Sequence, residues 1–120
     1  MDSPTQLTIY EKPTCTTCKK TALLLQERGI VFDQVNYYID PLPEAKIRSL
    51  LRKAGLAPRD LLRPKDSLYR ELDLANSNHS DDELIALMVE NPDLIQRPIG
   101  ELGDRAVLGR PPERILELLD

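Results

Sequence analysis

The segment KPTCTTCKK at residues 12–20 contains both cysteines of the chain, spaced as Cys-x-x-Cys. It follows a run rich in β-forming residues, Leu7 to Tyr10, and it leads into a segment whose apolar residues recur at helical spacing. Pro13 forces a turn between the two. The pattern therefore predicts that Cys15 lies where a strand leads into the N-terminus of a helix.

That position favours a thiolate, because the first N–H groups of a helix have no intrahelical partner and the macrodipole is positive there. Cys15 is predicted to be a nucleophile with a lowered pKa. Cys18 shares an apolar stripe with Ala22 and Leu25 and should be more buried and less acidic. The alternatives are two packed core thiols or half of a zinc site, for which the other candidate nitrogen is His79, far along the chain. Cys-x-x-Cys beside a strand–helix boundary favours redox or nucleophilic chemistry.

Length and composition exclude some classes of protein. The chain has 120 residues, enough for one domain with its own core, and no apolar run near the length of a membrane span. We expect a soluble, unexported, cytoplasmic protein, because two neighbouring cysteines suit a reducing compartment and no leader pattern is present. A net charge of −4 and the absence of Trp argue against a nucleic-acid binder. A monomer is expected.

The first third of the chain is predicted to form a strand, a helix and a second strand. The helix spans Thr17 to Arg28, and Gly29 ends it in the left-handed region. Its predicted inward residues are Ala22, Leu24 and Leu25. The second strand covers Val31 to Tyr38. Strands joined through a single helix are parallel, so the unit is βαβ.

The middle of the chain, residues 41–95 approximately, is predicted to be a helical lobe inserted into the domain. Glu44 to Ala54 has apolar residues at helical spacing, and two short helical turns follow, within 57–64 and within 65–72. Ser80 and Glu83 match a capping box for a further helix that runs to about Glu90.

The end of the chain is predicted to form a hairpin and a helix. Residues 97–100 and Arg105 to Leu108 are the strands, with a turn through Gly103 between them. The last helix opens at Pro111 and Pro112. Its predicted inward residues are Ile115, Leu118 and Leu119. The chain should therefore be one α/β domain, 1–120, with a mixed sheet of about four strands in the order β-α-β then β-β-α.

Four motifs carry a resemblance to a known family: KPTC at 12–15, DLLR at 60–63, ENPDLIQRPI at 90–99 and LGRPPE at 108–113. From Leu7 to Leu119 the chain resembles the arsenate reductases of the glutaredoxin-like class, the ArsC family, and their relatives, the Spx-type regulators. The resemblance implies a thioredoxin-like fold and a cytoplasmic oxidoreductase of arsenic detoxification.

The resemblance also implies roles for single residues. Cys15 would attack arsenate, and Arg63, Arg97 and Arg110 would bind the oxyanion. Pro98 is similar to the cis-proline that faces the active cysteine in this fold. Guanidinium groups suit the task because they hold tetrahedral oxyanions bidentately without losing charge. Phosphate or sulfate should compete for the same site.

Two positions differ from the family's usual pattern. Glu11 stands where these reductases commonly have a histidine, and a carboxylate raises the pKa of a nearby thiol, an effect that Lys12 could offset. Cys18 stands where the glutathione-dependent enzymes usually lack a cysteine. Our hypothesis is that Cys18 resolves the intermediate as a Cys15–Cys18 disulfide. Thioredoxin, or glutathione with glutaredoxin, would then reduce it, with no bound cofactor or metal.

Two other functions fit part of the sequence. An Spx-type regulator would use the cysteine pair to sense oxidants while it binds RNA polymerase, and a general thiol–disulfide oxidoreductase would need the cysteine pair alone. Spx-type regulators generally lack an arginine matching Arg110. The presence of Arg110 in LGRPPE therefore favours the enzyme.

Overall fold

The computed structural model describes residues 6–12 and 14–119. The strands of the described chain are Leu7–Glu11 (β1), Phe32–Asn36 (β2), Ile99–Leu102 (β3) and Arg105–Leu108 (β4). They form one sheet in the order β2-β1-β3-β4, in which β1 and β2 are parallel and β3 is antiparallel to both β1 and β4. The predicted mixed sheet of a thioredoxin-like α/β fold is confirmed.

The helices complete two compact units. The α-helices are Thr16–Glu27 (α1), Glu44–Ala54 (α2), Pro58–Leu61 (α3), Ser67–Glu71 (α4) and Asp81–Glu90 (α5). Short 3₁₀-helices cover Leu74–Asn76 and Pro92–Leu94, and a longer one covers Pro112–Leu119. One unit, called here the sheet unit, comprises the chain up to Asp40 and from Arg97 onward. The other, the helical unit, comprises Pro41–Gln96. A single domain with an inserted lobe stays a prediction.

The core of the sheet unit lies on one face of β1. Leu7 and Ile9 pack there against Leu25 of α1 and against Ile115 and Leu118 of the C-terminal 3₁₀-helix. Because side chains alternate between the two faces of a strand, the next residue of this row is Glu11. The row thus carries a carboxylate at the end where β1 leads into the cysteine segment.

Helix α1 differs from the prediction in which residues it buries. It begins one residue earlier, at Thr16, and Gly29 follows it with the expected left-handed φ of 69°. Ala22 and Leu24 are half-buried, whereas Thr21 is fully buried. Thr21 tolerates burial because its hydroxyl donates to the carbonyl of Thr17 at 3.0 Å, a local bond that no apolar pattern reveals.

Strand β2 is shorter than predicted. It spans Phe32–Asn36, and Val31 is exposed. Asn36 ends it by forming a turn: its Oδ1 accepts the Tyr38 N–H at 3.0 Å, and its carbonyl accepts the N–H of Ile39. Tyr37 and Tyr38 therefore leave the sheet.

The last helix is a 3₁₀-helix, so part of its predicted inward face is wrong. With three residues per turn, Pro112, Ile115 and Leu118 lie on one face. Ile115 and Leu118 are buried, but Leu119 is 42 % exposed. An α-helical period would have placed Leu119 beside Ile115.

The helical unit follows the sequence pattern closely. Helix α2 has the predicted bounds and buries Ile47, Leu50 and Leu51. It packs against α5. Helices α3 and α4 are the two predicted helical turns. An isolated antiparallel bridge between Leu62 and Ile95 pairs the residue after α3 with the C-terminal end of this unit.

The capping box of α5 gives a stability prediction. The Ser80 hydroxyl accepts the Glu83 N–H at 3.2 Å, and Glu83 Oε1 accepts the Ser80 N–H at 2.7 Å. Ser80→Ala should lower the free energy of unfolding by about 1 kcal/mol. Urea denaturation measures the change. Ser67→Ala is the matched control, because α4 is capped by Asp66 and Ser67 is exposed. An equal decrease in the free energy of unfolding in both variants would contradict the capping role of Ser80.

Candidate active site

Cys15 is the N-cap residue of α1. Its backbone is extended, with φ −77° and ψ 127°, and its Sγ accepts the N–H of Cys18 at 3.4 Å. The side chain is half-buried, while Cys18 is 1 % exposed. No acidic residue lies in the first turn of α1. The helix thus presents free N–H groups and its positive end to an accessible sulfur.

Two arginines from the other end of the chain reach this sulfur. The Arg97 side chain donates a hydrogen bond to Cys15, and Arg110 Nη2 lies 4.0 Å from Cys15 Sγ. Arg110 is oriented by its Nε, which donates to the Arg97 carbonyl at 2.8 Å. Arg97 is 5 % exposed, which is unusual for arginine. Two of the three predicted arginines therefore converge on Cys15.

Two tyrosines that the sequence reasoning missed hold Arg97 in place. Tyr38 Oη accepts from Arg97 Nη1 at 3.5 Å, and Tyr37 also hydrogen-bonds the guanidinium. The two rings stack with centroids 5.1 Å apart, and Lys12 Nζ lies 4.7 Å from the Tyr38 ring centroid. Both tyrosines had been predicted to lie in β2. No spacing in the sequence signals the contact of either tyrosine with Arg97, which lies 59 positions after Tyr38.

The two thiols have opposite acidities. Burial raises the pKa of Cys15, but hydrogen bonds from Cys18 and from Arg97 outweigh it and hold the pKa below the ordinary 9.0. Burial, with the Cys15 sulfur and the charge of Glu11, raises the pKa of Cys18 to about 12. These directions agree with the expectation that Cys15 is the more acidic thiol and Cys18 the less acidic one.

The remaining predicted residues are placed as follows. Arg63 belongs to the helical unit, where its N–H donates to the Leu94 carbonyl at 2.7 Å and its side chain is half-buried. The Arg97–Pro98 peptide is cis, as the resemblance implies, and the Arg110–Pro111 peptide, which was not predicted, is also cis. His79 is half-buried.

Residues 6–12 and 14–119 contain no group of three or more His, Cys, Asp or Glu side chains that could hold a metal ion. No described helix combines the length and the apolar character needed to cross a membrane.

The acidity difference predicts selective alkylation. Because thiolates react and thiols do not, iodoacetamide should modify Cys15 with a pH midpoint below 9.0 and leave Cys18 largely unmodified in the folded protein. Peptide mass mapping after a short pulse measures each site. The urea-unfolded chain is the control, in which both cysteines should react at similar rates. Preferential labelling of Cys18 in the folded protein would contradict the assignment.

Known proteins are similar to this chain in sequence and in fold. The sequence profile of the ArsC family matches residues 10–118. The chain is 42 % identical to the uncharacterised protein YfgD of Escherichia coli K12 over 95 % of this chain and 97 % of that one. It is 36 % identical to an arsenate reductase of Neisseria meningitidis serogroup A, over 95 % and 98 % of the two chains.

A solved structure agrees with these sequence matches. The arsenate reductase from Vibrio cholerae has a TM-score of 0.88 and 37 % identity, and the match covers 95 % of this chain and 98 % of that one. The family match spans both cysteines, Arg97 and Arg110. The chain therefore belongs to the ArsC family, the arsenate reductase family of thioredoxin-like fold.

Proposed function

We propose that this protein is an arsenate reductase in which Cys15 is the nucleophile and Cys18 the resolving thiol. The observation that carries the proposal is the convergence of Arg97 and Arg110 on a Cys15 sulfur whose pKa is lowered. A general thiol oxidoreductase needs a reactive sulfur but no pair of cations at it. Two guanidinium groups beside a nucleophile suit a substrate that is itself a tetrahedral anion.

The reaction proceeds in two steps. The Cys15 thiolate attacks arsenic(V), one arsenate oxygen leaves as water, and a Cys15–S–As bond forms. Cys18 then attacks Sγ of Cys15, the S–As bond breaks, and its electron pair remains on arsenic. The products are arsenite and a Cys15–Cys18 disulfide, so two thiols supply the two electrons. Phosphate binds in the same way but is not reduced, since thiols do not reduce phosphorus(V).

We assign oxyanion binding to Arg63 as well, as its family motif implies. Its support comes from the family motif and from backbone pairing within the helical unit, where Arg63 bonds Leu94 and the Gln96 N–H donates to the Leu61 carbonyl at 2.8 Å.

Recycling requires an external thiol. We assign it to thioredoxin, or to glutathione with glutaredoxin, acting on the disulfide in the cytoplasm and on a monomer. Disulfide exchange begins at the more accessible sulfur, which is Cys15, because Cys18 is buried. The leaving thiolate would then be Cys18.

The decisive experiment mixes fully reduced protein with arsenate and no added thiol. Arsenite formed and thiols lost are both counted. We expect about one arsenite and two thiols lost per chain, the stoichiometry of an internal disulfide. Formation of arsenite only after addition of glutathione and glutaredoxin would overturn the role of Cys18 as resolving thiol. The assignment as an arsenate reductase would still hold.

A variant separates the two halves of the proposal. Cys18→Ser should bind arsenate and form the Cys15 adduct but release no arsenite with thioredoxin alone. Turnover of Cys18→Ser at the parental rate under those conditions would refute Cys18 as the resolving thiol. If the parent protein formed no arsenite with any reductant, the assignment as an arsenate reductase would be refuted.

A further inference from the structure

Tyr38 contacts two parts of the candidate site, and the mechanism above does not use it. It follows β2 and is half-buried. Its hydroxyl accepts a hydrogen bond from Arg97 Nη1 at 3.5 Å, and Lys12 Nζ lies 4.7 Å from the centre of its ring. A tyrosine can serve two such neighbours at once, because the ring face attracts a cation while the hydroxyl makes a hydrogen bond.

The Lys12 contact connects Tyr38 to the nucleophile. The Lys12 carbonyl accepts the Cys15 N–H at 2.9 Å, so Lys12 is bonded to the backbone of the residue that caps α1. The ammonium group of the same lysine lies over the Tyr38 ring. The ring is therefore attached, through one residue, to the turn that carries the Cys15 sulfur.

The Arg97 contact connects Tyr38 to the cations at that sulfur. Arg97 is 5 % exposed, and a buried guanidinium needs partners that direct its N–H groups. Its side chain donates to Cys15 as well as to Tyr38, and its carbonyl accepts from Arg110 Nε at 2.8 Å. A displacement of Arg97 would therefore disturb both arginines. At 3.5 Å the Tyr38 bond is long, so it fixes the direction of the guanidinium more than it adds binding energy.

Tyr38 is itself held firmly. Asn36 Oδ1 accepts its N–H at 3.0 Å, and the Asn36 carbonyl closes the same turn by accepting the Asp40 N–H at 2.9 Å. The Tyr38 ring stacks on that of Tyr37, which is fully buried, with centroids 5.1 Å apart. A side chain that is already ordered in this way loses little further entropy when it fixes a neighbour.

We propose that Tyr38 is a positioning residue of the oxyanion site: its hydroxyl holds the Arg97 guanidinium at Cys15, and its ring, beneath Lys12, ties that guanidinium to the cysteine turn. The inference rests on the proposed function in one respect, that an oxyanion binds at Cys15 and Arg97. Tyr38 acts through Arg97 and takes no part in making or breaking bonds. Its loss should therefore weaken oxyanion binding more than it slows the reaction step.

The test measures phosphate binding without turnover. Phosphate bound at Cys15 should slow the alkylation of Cys15 by iodoacetamide, and peptide mass mapping gives the phosphate concentration that halves the rate. Each protein is compared with itself in the absence of phosphate, so a change in the reactivity of Cys15 cancels. Tyr38→Phe removes the hydroxyl and keeps the ring. It should raise the half-protecting phosphate concentration by about 3- to 10-fold, the loss expected for one hydrogen bond.

Tyr10→Phe is the matched control. Tyr10 is also buried in the sheet unit, but its hydroxyl donates to Glu101 Oε1 at 2.6 Å. This variant loses a buried hydrogen bond too, and its half-protecting concentration should stay parental. An equal rise in both variants would mean a general loosening of the fold and would overturn the inference. Parental protection in Tyr38→Phe would overturn it as well.

Turnover supplies a second measurement. In Tyr38→Phe the KM for arsenate should rise by the same factor as the half-protecting concentration, with kcat within about twofold of the parent. A lower kcat with an unchanged KM would place Tyr38 in the reaction step and overturn the positioning role. If the parent forms no arsenite but Tyr38→Phe weakens phosphate protection, the proposed function fails and the positioning role stands. If the parent reduces arsenate but phosphate does not protect Cys15, the positioning role fails and the reductase stands.

Discussion

Replacing Cys15 with serine is expected to abolish arsenate reduction, with arsenite formation at least about 10³-fold below the parent. A serine hydroxyl is not ionised near neutral pH, and oxygen cannot be oxidised to a disulfide. The fold should survive, because serine is a favoured N-cap and its hydroxyl can accept the Cys18 N–H in place of sulfur. The loss of activity would therefore be due to the missing thiolate and not to a loss of folding.

Arsenite formed under excess thioredoxin or glutathione with glutaredoxin measures the effect. Thr16→Ser is the matched control, because Thr16 is the exposed first residue of α1, next to Cys15. It should keep the parental rate. Arsenite formation by Cys15→Ser above about a hundredth of that rate would point to another nucleophile.

Replacing Arg110 with lysine should raise the KM for arsenate by about 10- to 100-fold, the equivalent of losing one charged hydrogen bond of about 1.5–3 kcal/mol. The positive charge is kept, so the effect measures the guanidinium fork rather than net charge. Arg110 Nε is also bonded to the Arg97 carbonyl, and lysine cannot make that bond while it reaches Cys15. The inhibition constant of phosphate should rise by a similar factor.

Arg105→Lys is the control for this prediction. Arg105 lies on β4, exposed, and its Nη2 donates to the Glu117 carbonyl at 2.8 Å. Its substitution should leave the KM unchanged. An unchanged KM in Arg110→Lys, with a lower kcat alone, would place Arg110 in the reaction step and remove it from substrate binding.

The elements that the sequence predicts well are those specified locally. The bounds of α2 follow from its apolar spacing and from Gly55, which ends it in the left-handed region. The order of the two acidities was predictable from the place of Cys15 at the N-cap of α1 and of Cys18 on its buried stripe, although Arg97, from the other end of the chain, also lowers the pKa of Cys15. For the bounds of α2, the physical cause lies within one helical turn of the residue that it affects.

What the sequence could not predict depends on distant contacts or on local hydrogen bonds. Arg97 and Arg110 were identified by resemblance to a family, since nothing local in the sequence distinguishes them from surface arginines. Tyr37 and Tyr38 were assigned to a strand because aromatic residues favour strands, but the Asn36 turn carries them out to Arg97. Leu119 is exposed because the last helix has a 3₁₀ period, which an apolar pattern of eight residues does not distinguish from an α period.

The sulfur of Cys15 is also the cap of helix α1, which links folding to redox state. The pKa of Cys15 is lower in the folded chain than the ordinary 9.0, so its ionisation stabilises the fold. That contribution is complete above pH 9.0 and is lost as the pH falls through the lowered pKa. In the proposed reaction, the Cys15 sulfur bonds first to arsenic and then to Cys18, and in neither state is it an anionic acceptor for the Cys18 N–H. Each turnover would thus weaken and then restore the N-terminus of α1. The rate of hydrogen exchange at the Cys18 amide would therefore differ between the states of the catalytic cycle.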